Sequence, residues 1–382
     1  MNDDMANDRS PIAVLIRTLP LRNGNIGGVL QAYALQTVLR ELGASVVTDT
    51  STKHRWTARW TLGAFRALIT GAPVRASPKI RNEMNARLLA FVESRMATID
   101  TTQSRSARKT SLQAEVAVVG SDQVWRPRYG DTARNMFADL DAVGWQGKRI
   151  SYAASFGTES ALEFSSDQKR KSSILLGEFS AVSVRETSAV RICADEFGVT
   201  AVQHADPVFL LSPSHYRHLA EKGTAEGGGI FAYVLDSTDS TRFILDTAAS
   251  VRGVVAHGVL PLPYAGRKAF EQNPLLFSMP TVEDWLAGIA RADLVITDSF
   301  HGTALSLVLN RPFWVLDNPL RGTTRISSLL SRFNLSHRSV SHAPSPGEDT
   351  RIDWVAVNQT IAAERETSLG FLRRFVGAAD EP

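Results

Sequence analysis

The chain has 382 residues, a formal net charge of +3, 43% hydrophobic residues and a single cysteine, Cys193. A length about twice that of a typical domain predicts two domains with full-sized cores. One cysteine excludes an internal disulfide and a multi-cysteine metal site, and no apolar run approaches the roughly 18 residues that span a bilayer.

Residues 1–10 are polar and acidic, and the apolar run behind them, 12–16, is too short for a signal peptide, so a cytoplasmic protein is expected. Residues 12–18 read as a buried strand. The turn RNGNIGG, with Asn23, Gly24, Asn25, Gly27 and Gly28, leads into a periodic helix over 29–42 that Gly43 closes, and 45–50 returns as a strand. Such a unit is expected to be a right-handed parallel crossover. Its glycine spacing fits neither a dinucleotide fingerprint nor a Walker A loop. Asn25 and the backbone at Gly27 and Gly28 are candidates to hold a phosphate or a sugar hydroxyl; the plainer reading is that the glycines only make the turn.

Between 51 and 110, twelve basic residues stand against three acidic ones, so this insert carries +9 and the remainder of the chain −6. Its first part, 54–69, interleaves Trp56, Arg59 and Trp60 with Phe65, Leu68 and Ile69 at helical spacing. A basic aromatic helix suits an anionic membrane surface, and equally an ordinary helix that packs its aromatics inward. No nucleic-acid-binding motif accompanies the charge.

The apolar strand at 116–120 ends in SDQVW, which puts Asp122 just past its carboxyl end, where a carboxylate serves as base, hydroxyl acceptor or plain cap. Strands at 149–154 and 181–184 follow, the latter ending in Arg185 and Glu186. The planar fork of Arg185 suits a carboxylate or phosphate ligand, with pairing to Glu186 as the competing reading. His204, Asp206 and Pro207 mark a change of direction.

The second half repeats the alternation: a strand in GGGIFAYVLD, a helix over 241–251, strands at 254–259 and 313–316, and a helix over 282–292. Within it, 294–310 (LVITDSFHGTALSLVLN) reads as a strand ending at Thr297, a polar turn with Asp298, Ser299, His301 and Gly302, and a helix from Thr303. Ligands collect at strand carboxyl ends, and a helix N-terminus offers N–H groups and partial positive charge to an anion. His301 there handles a proton beside a bound anion, or merely fills a capped turn. Arg325 follows the 313–316 strand as a further candidate cation. The eight histidines are scattered and form no HxxxH pair, so no metal is expected.

The fold class expected is α/β, two doubly wound Rossmann-like domains facing a cleft. The N-terminal domain is expected over 1–205, with the 51–110 insert, and the C-terminal domain over 206–345. Within the tail, 346–382, a helix from about 354 to 375 is expected to pack back across the boundary.

Six stretches, in order over 24–313, resemble the polysaccharide pyruvyl transferase family: GNIGGVLQAYALQ, VVGSDQVW, ISYAASFG, SVRE, DPVFLL and ADLVITDSFHGTALSLVLNRPF. The resemblance implies a glycosyltransferase B-like fold and transfer of pyruvate from phosphoenolpyruvate to a sugar of a cell-surface or exopolysaccharide precursor, closing a cyclic ketal. Phosphoenolpyruvate would be the donor substrate, with no cofactor, and the acceptor a carbohydrate, polyprenyl-linked if 54–69 touches the membrane. The family's histidine maps to His301 and its strand-end arginine to Arg185. His301 and Asp122 are then the catalytic candidates. Arg185, Asp298, Ser299, Gly302, Thr303, Arg325, Asn25, Gly27 and Gly28 are the substrate-binding candidates. The competing functions are a nucleotide-sugar glycosyltransferase of the same fold and a non-catalytic scaffold of a polysaccharide assembly complex.

Overall fold

A computed structural model describes residues 10–51, 76–102, 105–318, 324–342 and 351–377. The aromatic part of the insert, 54–69, lies outside them. The first sheet is built from β1 (Ala13–Arg17), β2 (Ser45–Asp49), β3 (Thr98–Ile99), β4 (Val116–Val119) and β5 (Lys148–Ser151), all parallel, in the order β3-β2-β1-β4-β5. Single bridges from Ile150 to Ala181 and from Ala154 to Val184 attach a parallel pair, β6 (Val182–Val184) and β7 (Ala201–Gln203). The second sheet contains β8 (Ile230–Tyr233), β9 (Ala256–His257), β10 (Leu294–Thr297), β11 (Phe313–Leu316) and β12 (Ser339–Val340). It is also wholly parallel, in the order β12-β11-β10-β8-β9.

The strands β4, β8, β10 and β11 are almost wholly apolar because both faces of each sheet are covered there. On β1, Val14 and Ile16 join one core while Leu15 joins another on the opposite face. On β10, Val295 faces the first core and Leu294 and Ile296 a third. The first core runs through both halves, from Leu30 and Leu35 to Trp285, Leu305 and Phe313.

Five helices matter for the site: α1 (Ile26–Glu41), α2 (Val282–Arg291), α3 (Phe300–Val308), α4 (Thr324–Arg332) and α5 (Trp354–Val376). Helix α1 starts three residues before the periodic run, because Asn25 caps it and accepts from the Gly28 N–H at 2.9 Å. Helix α3 likewise begins at Phe300 rather than Thr303, with Ser299 as its cap. His301 therefore sits in the first helical turn and not in a loop. Along α5, Phe371 reaches the rings of Tyr152 (6.3 Å) and His204 (4.7 Å), and Glu364 pairs with Arg332 at 2.8 Å. Among the described residues, no helix is long and apolar enough to cross a membrane.

In an open parallel sheet, a crevice forms where neighbouring strands send their connections to opposite faces. The first sheet has that point between β1 and β4, the second between β8 and β10. The two carboxyl-end crevices open onto one another, and the site lies between them.

Candidate functional site

A cleft of about 390 Å³ is lined from the first domain by Asn23, Gly24, Asn25, Asp122, Gln123 and Tyr129. From the second come Tyr233, Leu235, Asp298, Ser299, Phe300, His301 and Arg325. The loops after β1, β4, β8 and β10 thus all contribute.

His301 is buried and projects from the first turn of α3 toward the N-terminus of α1. A Cβ on Gly27 would fall 2.2 Å from His301 Nδ1, so only glycine leaves room for the ring. Gly28 serves the local turn instead, since a Cβ there would lie 2.6 Å from Asn25 Nδ2. His301 Nε2 has no hydrogen-bond partner among the described residues and stands 3.7 Å from Asp206 Oδ2, within electrostatic reach but too long for a hydrogen bond.

Asp122 is buried with its backbone in the left-handed region (φ 69°), a conformation Asp tolerates better than most residues. Its Oδ2 accepts from Asn25 Nδ2 at 3.0 Å, while Oδ1 lies 3.7 Å from Arg185 and 3.9 Å from Arg325. Burial pushes its pKa up, but the charges of His301, Arg185 and Arg325 outweigh burial and hold it below the usual carboxylate value. Asp122 is therefore ionised at neutral pH.

The two arginines, both substrate-binding candidates from the sequence, stand differently toward the cleft. Arg185 follows β6 but does not reach the cleft wall; it lies behind Asp122, with its guanidinium 4.2 Å over the Phe300 ring. Its Nη1 donates to Asp206 Oδ2 at 2.7 Å, and Glu186 is more distant at 3.9 Å. Its Nε and Nη2 make no hydrogen bond among the described residues. Arg325 is buried and forms part of the wall. Burial first, and Arg185 second, pull its pKa down to about 10.

Asp206 is the partner that the sequence reading passed over as a change of direction. It is fully enclosed, accepts from Arg185 Nη1, Ser121 Oγ (2.8 Å) and the Val208 N–H (3.1 Å), and faces His301. Burial raises its pKa, yet His301, Arg185 and the Val208 N–H hold it well below the usual range. The local signal was an Asp-Pro step at which Asp206 caps a short 3-10 turn.

The remaining candidates separate. Asp298 lines the cleft, but its oxygens accept from the Leu235 and Asp236 N–H groups and from Asn318 Nδ2, which pins the loop after β8. Ser299 lines the cleft and caps α3. Gly302 and Thr303 lie outside it. A Cβ on Gly302 would meet Thr297 Oγ1 at 2.5 Å, and Thr303 Oγ1 donates to the Ser299 carbonyl at 3.0 Å. Both shape the junction of β10 with α3. Among the described residues, no group of three or more His, Cys, Asp or Glu side chains converges on a metal-sized site.

Chemically, the cleft joins an imidazole, an ionised carboxylate and an arginine with the positive end of α3, a set suited to an anionic substrate that must gain a proton while another group loses one. The family model for polysaccharide pyruvyl transferase matches residues 25–319. No curated protein matches the chain. Among solved structures, a UDP-N-acetylglucosamine 2-epimerase aligns over 98% of this chain and 99% of its own, with 11% identity and a TM-score of 0.49. The UDP-GlcNAc 2-epimerase of Neisseria meningitidis, bound to UDP-GlcNAc, aligns over 94% and 100% with 12% identity and a TM-score of 0.44. The wall teichoic acid polymerase TagF aligns over 99% and 87% with 10% identity and a TM-score of 0.43.

Proposed function

The chain belongs to the polysaccharide pyruvyl transferase family, and from that premise we propose that it moves pyruvate from phosphoenolpyruvate onto a sugar of a polysaccharide precursor, closing a ketal and releasing phosphate. The observation that carries this reading is His301 Nε2, an imidazole nitrogen without a hydrogen-bond partner among the described residues, set beside Arg325 and Asp122 at a helix N-terminus.

Phosphoenolpyruvate brings a carboxylate and a phosphate, which Arg325 and the N-terminus of α3 are placed to hold. Arg185 acts from behind, fixing Asp206 and adding positive charge next to Asp122. His301 donates a proton to the methylene carbon, which becomes the methyl group and leaves C2 electrophilic. A sugar hydroxyl attacks C2 and passes its proton to Asp122. The C2–O bond to phosphate then breaks. A second hydroxyl closes the ketal; of the two hydroxyl protons, one leaves with the phosphate as hydrogen phosphate and the other restores the protonated His301. Holding both hydroxyls beside C2 is a positioning task, to which the two facing crevices are suited.

The test is phosphate release from phosphoenolpyruvate with a panel of galactosides, glucosides and mannosides. Acceptor-dependent release that falls about 100-fold or more in His301→Ala is the expected result. Absence of release, together with no phosphoenolpyruvate binding by calorimetry, would sink the reading in favour of a nucleotide-sugar donor.

A further inference from the structure

We propose that Gln123 and Tyr129 hold the acceptor sugar, and that Arg126 is the positioning residue that presents both. The sugar class rests on the pyruvyl-transfer reading; the geometry does not. Arg126 Nη1 donates to Gln123 Oε1 at 2.9 Å. A guanidinium can only donate, so the amide atom facing it is the oxygen, and Nε2 is turned the other way. Gln123 lines the cleft, and no acceptor for Nε2 occurs among the described residues. A residue of the cleft wall thus carries an amide N–H group that donates to no acceptor among the described residues, where a hydroxyl must be held.

The same arginine stacks on Tyr129, with Cζ 5.2 Å from the ring centroid. Arg126 is itself clamped by Glu163, at 3.0 and 3.1 Å from Nε and 2.7 Å from Nη2. Tyr129 is 41% exposed and stands at a threshold. It lines the catalytic cleft and also a second groove of about 760 Å³, which shares Leu19 and Pro20 with the cleft. The π face of a tyrosine is negative and apolar, and matches the weakly positive C–H face of a pyranose. An acceptor whose reacting sugar lies on Tyr129 has room for its next residue in that groove. The polar wall of that groove includes Lys171, paired with Asp167 at 2.8 Å.

The experiment compares the full-length wild type with Tyr129→Ala, Tyr129→Phe, Gln123→Leu and Arg126→Lys. Tyr129 is half exposed, so its truncation leaves the core intact. Expected is a rise of about tenfold in acceptor KM for Tyr129→Ala and Gln123→Leu, with phosphoenolpyruvate Kd by calorimetry unchanged within about twofold. Tyr129→Phe, which keeps the ring, recovers most of the loss. Arg126→Lys keeps the charge but cannot hold amide and ring together, and it too raises acceptor KM without touching donor Kd. Unchanged acceptor KM in both Tyr129→Ala and Gln123→Leu, or a parallel loss of donor affinity, overturns the assignment. If the wild type binds no phosphoenolpyruvate, the transfer reading fails by itself. The sugar site is then judged by saturation-transfer NMR with methyl galactoside, glucoside and mannoside. Signals lost in Tyr129→Ala support it, and no signal from the wild type refutes it.

Discussion

Gly27 and His301 come from different domains and share one small volume: a methyl group on Gly27 would lie 2.2 to 2.6 Å from three atoms of the His301 side chain. Alanine favours helices by about 1 kcal/mol over glycine, so the substitution helps α1 locally while displacing the ring. Gly27→Ala is expected to fold and to lose about 100-fold in kcat, the scale of a misplacement near 1 Å. Steady-state phosphate release beside a melting curve checks this; full activity would mean that the ring does not rest against α1. Asp206 shows the complementary lesson. It was legible only as part of a change of direction; its partners Arg185, Ser121 and His301 are distant in sequence, so its place in the site was not.

At the scale of elements, two glycines in helices are expected to respond oppositely to the same change. Gly302 lets α3 approach β10 so closely that a Cβ would lie 2.5 Å from Thr297 Oγ1 in a buried junction. Gly302→Ala should destabilise the fold by about 1–3 kcal/mol through overpacking. Gly370, on the exposed face of α5, has nothing within 4 Å of a built Cβ. There alanine should stabilise by about 0.5–1 kcal/mol. Urea denaturation of both variants decides it, and changes of the same sign would refute the packing account. The turn at 298–302 looked like one functional unit in sequence. In three dimensions Ser299 and His301 face the cleft, Asp298 does so while pinning a neighbouring loop, and Gly302 and Thr303 serve the junction, because successive residues of a helical turn point in different directions.

Across the whole molecule, α5 returns over the end of β7, where His204 is held between Ser183 Oγ (2.8 Å from Nδ1) and Phe371. Burial, then Arg332 and Arg374, push the His204 pKa down to about 4. The unfolded imidazole takes up a proton below about pH 6.5 and the folded one only near 4, so stability is full above that window and falls as pH drops through it. The loss should reach about 2–3 kcal/mol, and His204→Phe should flatten the slope between pH 7 and 5 in urea titrations. An unchanged slope would show that His204 does not carry it. Asp122 and Asp206, both held below the usual carboxylate range, lose their contributions only at still lower pH. The sequence by itself determined the alternation of apolar strands and helices and put Asn25, Asp122 and His301 beside strand ends, because periodicity and turn chemistry are local. The expected cleft between two sheets was also read from that alternation, but tertiary structure alone decided which side chains line it. It also set Arg325 in the wall with Arg185 behind it, and tied the Gln123 amide oxygen to Arg126, which Glu163 clamps. Those outcomes depend on contacts between residues far apart in the chain, which no local pattern encodes.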